Sequence, residues 1–206
     1  MTDRTKIEQA LKKFICIAGA GMDNISAKLD YSYFADAVSM ILESEETGGR
    51  VHVSGIGKPH HISNYIASLL SSTGTPAYFL DGTEATHGSS GQVVKGDVVI
   101  LISYYGDVAE LNRTLLTLKN NGARTIAITG FDQSFIAVNS DVHLNCHVSE
   151  EGDELNRAPR TSMLATLFVG MALSVVLQEI KGLTLEEYLK YHPSGKLGQA
   201  VVESGE

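Results

Sequence analysis

Asp97-Val98-Val99-Ile100-Leu101-Ile102-Ser103 (DVVILIS, 97–103) is a short, almost wholly apolar run, and it decides the fold. Five apolar residues in a row cannot alternate between core and solvent, so the run reads as a strand buried on both faces, the kind found in parallel sheets. Four more runs of this type stand at VHVSG (51–55), AYFL (77–80), RTIAIT (124–129) and DVHLNC (141–146). Between them Ile62, Ile66, Leu69 and Leu70 precede Gly74, and Leu111, Leu115 and Leu118 precede Gly122. Both sets have helical spacing and end at a glycine able to take the left-handed conformation that closes a helix. Strand alternates with helix, which predicts an α/β chain with a doubly wound, five-stranded parallel sheet. In such sheets ligands bind outside the carboxyl ends of the strands.

Upstream of these runs, Ile7, Leu11, Phe14, Ile15 and then Phe34, Ala37, Met40, Ile41 repeat the helical spacing, so residues 1–47 read as an N-terminal helical pair stopped by Gly48-Gly49. That pair, 5–44, is expected to expose apolar surface for self-association. Downstream, a long helical segment covers 161–180 before Gly182, and Thr184 with Glu187 spells a capping box for a last short helix. The layout is one domain over 1–206, with the sheet core and its flanking helices over 50–200. Residues 203–206 are expected to fray.

Composition narrows the function. With 43% hydrophobic and 19% charged residues the chain has an ordinary globular balance, which excludes disorder. A net charge of −8 with no Lys/Arg run argues against nucleic acid as a partner. Apolar runs such as 98–102 and 164–177 fall short of the ~20 residues of a membrane span. The polar, charged start, 1–13, is unlike a signal peptide, so no membrane and a cytoplasmic location are expected. Cys16 and Cys146, 130 positions apart without CxxC or CxxH spacing, read as small buried hydrophobes.

Candidate chemistry gathers after the strands. Gly55-Ile56-Gly57-Lys58 offers two glycines for close backbone approach and a cation before a helix; read alone, it is equally a tight strand-to-helix turn with a solvated lysine. Ser103-Tyr104-Tyr105-Gly106-Asp107, with Glu110 beyond, stands where a loop and a helix N-terminus would cradle a phosphate, although Asp107 and Glu110 are also suited to capping that helix. His87, His192 and one of His60 or His61 fall in loop-like sequence where imidazole can exchange protons, while His52, His143 and His147 are read as structural strand residues. No HExxH or similar pair is present, so a metal site is not expected.

The segments VSGIGKPHHIS, STGTPAYFL, EATHG, GDVVILIS, DVHLNCHV and YHPSGKLG, in this order, resemble the sugar isomerase (SIS) domain of the arabinose 5-phosphate isomerase family over roughly 50–200. EATHG and HPSGKLG are the segments specific to it. Its members commonly carry a following pair of CBS domains, and this chain resembles the short form. The resemblance implies an enzyme that interconverts arabinose 5-phosphate and ribulose 5-phosphate through an enediol, as a tetramer, without cofactors. It puts the functional positions on Lys58, His87, Glu110, Glu151 and His192, and the phosphate contacts on Gly57, Ser103, Tyr104, Tyr105, Gly106, Arg160, Thr161 and Ser162. Where the family has Ser-Asn-Ser-Gly-Glu-Ser, this chain has Ser103-Tyr104-Tyr105-Gly106-Asp107-Val108, two small hydroxyls fewer. Arg160 is then expected to restore the lost phosphate contact or to select a different anion. Two further readings are a sugar-phosphate sensor module and another SIS isomerase, such as a 3-hexulose 6-phosphate isomerase.

Overall fold

A computed structural model describes residues 3–193. Helices α1 (Arg4–Lys28) and α2 (Tyr31–Glu46) precede β1 (Val51–Gly55), α3 (Lys58–Ser72) and β2 (Ala77–Asp81). Two 3-10 turns, Glu84–His87 and Ser89–Gln92, lead into β3 (Val98–Ile102), α4 (Ala109–Asn120), β4 (Arg124–Thr129), α5 (Phe135–Asn139), β5 (Val142–Asn145), α6 (Thr161–Lys181) and α7 (Leu185–Tyr191). All strand pairs are parallel, in the order β2-β1-β3-β4-β5. The five expected strands and the N-terminal pair are in place, and Gly48, Gly74, Gly122 and Gly182 all have positive φ at the ends of helices.

Side-chain alternation along the strands separates two cores. Val98, Ile100 and Ile102 join Ile126, Ile128 and residues of α2, α3 and α6 on one face. Val99 and Leu101 join Leu111, Leu115, Leu118 and Ile136 of α4 and α5 on the other. Helices therefore cover both faces, and the loops after all five strands emerge along one edge.

Several local expectations are corrected. Cys16 is exposed, because α1 leaves the outer face of its first half, Ile7, Leu11 and Ile15, uncovered by its own chain. His147 lies beyond the end of β5, and His60 and His61 belong to the first turn of α3 rather than to a loop. At 21 residues, with a mean hydropathy of 1.9 over 18 of them, α6 is long and apolar enough to cross a membrane; it instead buries Val169, Leu173 and Leu177 against the sheet. Residues 194–198 of HPSGKLG and the tail 203–206 lie outside the described residues.

One buried pair gives the fold a pH dependence. The carboxylate of Asp97 accepts from the backbone N–H groups of Arg50 and Val94, each at 2.9 Å, and lies 3.2 Å from His52 Nε2. Burial depresses the His52 pKa against the attraction of Asp97, and His52 Nδ1 has no hydrogen-bond partner to stabilise a second proton. Burial also depresses His143. Unfolding frees both imidazoles to titrate near their ordinary 6.5, so below that pH the unfolded chain binds more protons and stability is lost. The melting temperature should fall from about pH 7.5 to about pH 5.5, and His52→Asn should flatten that fall. An equal slope in the variant would remove His52 from the effect.

Candidate functional site

The strand order reverses direction between β1 and β3, and at such a switch point the flanking loops part to leave a crevice. On one side stands Gly57, with φ 71° and ψ −132°, a conformation open to glycine. It places Lys58 at the first position of α3, exposed and without an ion-pair partner among the described residues. Beside it, His60 Nδ1 lies 3.6 Å from Asp81 Oδ2 at the end of β2.

Across the crevice the 103–107 loop is already heavily bonded. Ser103 Oγ accepts from Gly106 N at 3.2 Å, and Gly106, at φ 70°, packs where any Cβ would collide with Ser134. Tyr104 is turned inward, donating its hydroxyl to Val148 O at 2.7 Å and accepting from Val148 N at 3.2 Å. Burial raises the Tyr104 pKa to about 12. Its hydroxyl ties the β3 loop to the β5 loop and has no proton left for a ligand. Tyr105, 64% exposed, instead stacks on Phe131, with centroids 5.7 Å apart and planes at 15°. Asp107 accepts from Phe135 N at 2.8 Å, so it caps α5 and not α4. The N-terminus of α4 has no side-chain cap, and Glu110 sits exposed in its first turn, where the helix dipole favours a carboxylate.

After β5, Glu151 is buried with one carboxylate oxygen, Oε2, accepting from Arg160 N at 2.6 Å and Ser162 N at 3.1 Å. These are N–H groups that open α6, so the anionic position at this helix terminus is filled from within the chain. Thr161 Oγ1 and Ser162 Oγ are buried beside it without a hydrogen-bond partner. Arg160, the cation expected to meet the ligand, is ion-paired with Asp153.

His87 is exposed at the end of the first 3-10 turn, which Asp81 Oδ1 caps by accepting from Thr83 N at 2.8 Å and Glu84 N at 3.0 Å. His192 behaves differently. Its ring stacks on Tyr188 at 4.0 Å, and Nδ1 lies 2.8 Å from Tyr188 O, so against a carbonyl that nitrogen is the donor. Helix α6 runs back along the sheet, and Lys181 at its end donates to Gly74 O at 3.1 Å and Thr75 Oγ1 at 2.7 Å, just ahead of β2. With a rise of 1.5 Å per residue, α6 spans roughly 31 Å and α7 only about 10 Å, too little to return to the carboxyl edge. The structure therefore brings Lys58, His87, Glu110 and Glu151 to the loops of one edge and leaves His192 at the other end of its own chain.

Two arrangements escaped the sequence reading. The Tyr105–Phe131 stack joins residues 26 positions apart with no spacing signal. The Asp81 cap could have been found, since Asp-Gly after a strand is a turn signal. Beyond β5 the α1–α2 corner also leaves a cleft of about 950 Å³, lined by Lys28, Tyr33, Phe131, His143 and His147, which holds none of the expected site residues.

Residues 46–176 match the SIS domain family. The chain is 40% identical over 169 residues to the arabinose 5-phosphate isomerase KdsD of Francisella tularensis, covering 82% of this chain and 52% of that protein. It is 34% identical over 198 residues to the arabinose 5-phosphate isomerase KpsF of Escherichia coli, covering 96% of this chain and 60% of that protein. The chain thus spans between half and three-fifths of the length of these curated relatives. Among solved structures, the Escherichia coli CFT073 protein c3406 in complex with arabinose 5-phosphate superposes with a TM-score of 0.86 at 34% identity, over 93% of this chain and 100% of that one.

Proposed function

The chain belongs to the SIS domain family, and on that footing we propose that it is a phosphosugar aldose-ketose isomerase interconverting arabinose 5-phosphate and ribulose 5-phosphate. The observation that carries the reading is the gathering of Lys58, His87, Glu110 and Glu151 on the carboxyl edge, in a chain 34% identical over the full length of a protein solved with arabinose 5-phosphate.

The reaction is redox-neutral. A base takes the C2 proton of the open-chain aldose, the electron pair forms the C1–C2 double bond, and O1 is protonated. Delivery of a proton to C1 and loss of the O2 proton then give the ketose. Glu151 suits the base, because one oxygen is fixed by two backbone N–H groups while the other is free to take a proton at a constant position. Lys58 places a positive charge, unpaired among the described residues, beside the crevice to steady the enediolate. Glu110 and His87 are assigned to the substrate hydroxyls and ring opening. Gly57, Ser103, Tyr105, Gly106, Thr161 and Ser162 form the walls nearest the substrate.

His192 completes the acid/base set only if a neighbouring subunit presents it. A homotetramer is therefore part of the reading, and the uncovered face of α1 supplies apolar surface for it. A cytoplasmic enzyme with 1–206 as one SIS domain completes it.

Incubating the protein with arabinose 5-phosphate or ribulose 5-phosphate in heavy water should place deuterium at the carbon that exchanges its proton, read by NMR. Absence of exchange with these and with hexulose phosphates, while calorimetry still detects binding, would replace the isomerase by a sugar-phosphate sensor.

A further inference from the structure

We propose that the first half of α1 is the contact through which two copies of this chain pair about a two-fold axis, Leu11 against Leu11 and Ile7 against Ile15. The isomerase reading asks for a neighbouring subunit without saying where it docks. The pairing itself rests on α1 and not on that reading.

Helical spacing puts Ile7, Leu11, Phe14, Ala18, Gly21 and Ile25 on one side of α1. From Phe14 onward that side meets its own chain. Phe14 packs so closely on Gly152 that an added Cβ would stand 2.7 Å from its ring, Gly21 lies against Thr161 and Val148, and Ile25 is buried. Ahead of Phe14 the same side continues with nothing among the described residues beneath it. Every residue of 4–13 is exposed, so a length of about 15 Å overhangs the loop between β5 and α6. A helical segment this short draws its stability from packing of its apolar side.

A second copy fits that side by symmetry. Ile7 and Ile15 stand four residues on either side of Leu11, and the three are 53%, 59% and 57% exposed. Turned end for end about Leu11, the row reads the same. An isologous contact requires this of a single helix, because residue i must meet j while j meets i. Charge agrees with the arrangement. Residues 4–13 carry Arg4, Lys6, Lys12 and Lys13 against Glu8 alone, in a chain of net charge −8. In the antiparallel pair, Arg4 and Lys6 of the partner subunit stand opposite Ala18 and Cys16, beside the loop in which Glu150 and Glu154 are exposed. A stable contact takes roughly 800 Å² from each copy, more than three side chains supply. Helix α6, which α1 meets at Thr161, adds Leu164, Phe168 and Val175, all exposed along its outer side. The paired helices also end beside Glu151, so the contact holds the loop of the assigned base; this consequence alone depends on the isomerase reading.

The test places cysteines on α1 of the full chain in a Cys16→Ser background, Cys146 being buried. Oxidised by copper phenanthroline in air, Leu11→Cys should give disulfide-linked dimers on a non-reducing gel. Ile7→Cys and Ile15→Cys should each run as monomers, because like positions then lie about 12 Å apart along the helices, beyond the ~7 Å that a disulfide spans. The double variant Ile7→Cys with Ile15→Cys should cross-link. Leu11→Glu should at least halve the mass seen by light scattering at micromolar concentration while keeping the helical circular dichroism. Self-cross-linking of Ile7→Cys or Ile15→Cys, absence of Leu11→Cys dimers, an unchanged mass for folded Leu11→Glu, or a monomeric wild type would each overturn the assignment. The cross-links decide even where Leu11→Glu fails to fold. If they form as expected and wild type exchanges no proton of any sugar phosphate, only the isomerase reading fails.

Discussion

Glu151→Gln is expected to lower kcat by about 10²- to 10⁴-fold, the usual contribution of a general base, while leaving the melting temperature close to wild type. The separation is possible because Glu151 has two physically distinct tasks. One oxygen accepts from Arg160 N and Ser162 N and so caps α6, which a glutamine carbonyl can still do. Accepting a proton from carbon requires the carboxylate, which the amide lacks. Glu151→Ala removes both and should in addition cost roughly 1 kcal/mol of stability, as the loss of an N-terminal cap does. Steady-state rates and thermal melts of the three proteins decide the matter. Should Glu151→Gln keep kcat within about threefold of wild type, Glu151 is a cap and the base lies elsewhere.

The same double use explains where sequence reading succeeded and where it stopped. The five strands were legible because burial on both faces forces unbroken apolar runs, and the helix ends because glycine takes the positive φ that closes a helix. Helix α5 was not, since its cap, Asp107, comes from 28 positions upstream. Tyr104 and Tyr105 look alike in a sequence. In the bend that follows β3 the two side chains diverge, so one is buried and bonded to Val148 while the other is exposed against Phe131. Arg160 was chosen for its charge, and charge alone could not reveal that Asp153 already holds it. Cys16 failed for the opposite reason: apolar spacing on α1 predicts a buried face without saying which chain buries it. For the site, the residue types and their place after the strands were readable. The role of each came through the family resemblance, and the separation of His192 from the others required the course of α6.

That separation makes the second large effect an oligomer experiment. His192→Ala should lower kcat by about 10²- to 10⁴-fold with little change in melting temperature, because the side chain stacks on Tyr188 at the end of a short helix without buried residues. Mixing is the sharper measurement. If each site takes Glu151 from one subunit and His192 from another, oligomers reassembled from equal amounts of Glu151→Gln and His192→Ala chains contain sites in which both groups are intact. Random assembly makes these about one half times one half, so about a quarter of wild-type activity should return from two nearly inactive proteins. A site built within one subunit gives the opposite result, since every chain in the mixture carries one lesion and no site is whole. Recovery near a quarter thus requires a shared site, and no recovery from verified mixed oligomers excludes one. A stable monomer by light scattering at micromolar concentration would exclude it as well, because a monomer has no neighbour to supply His192.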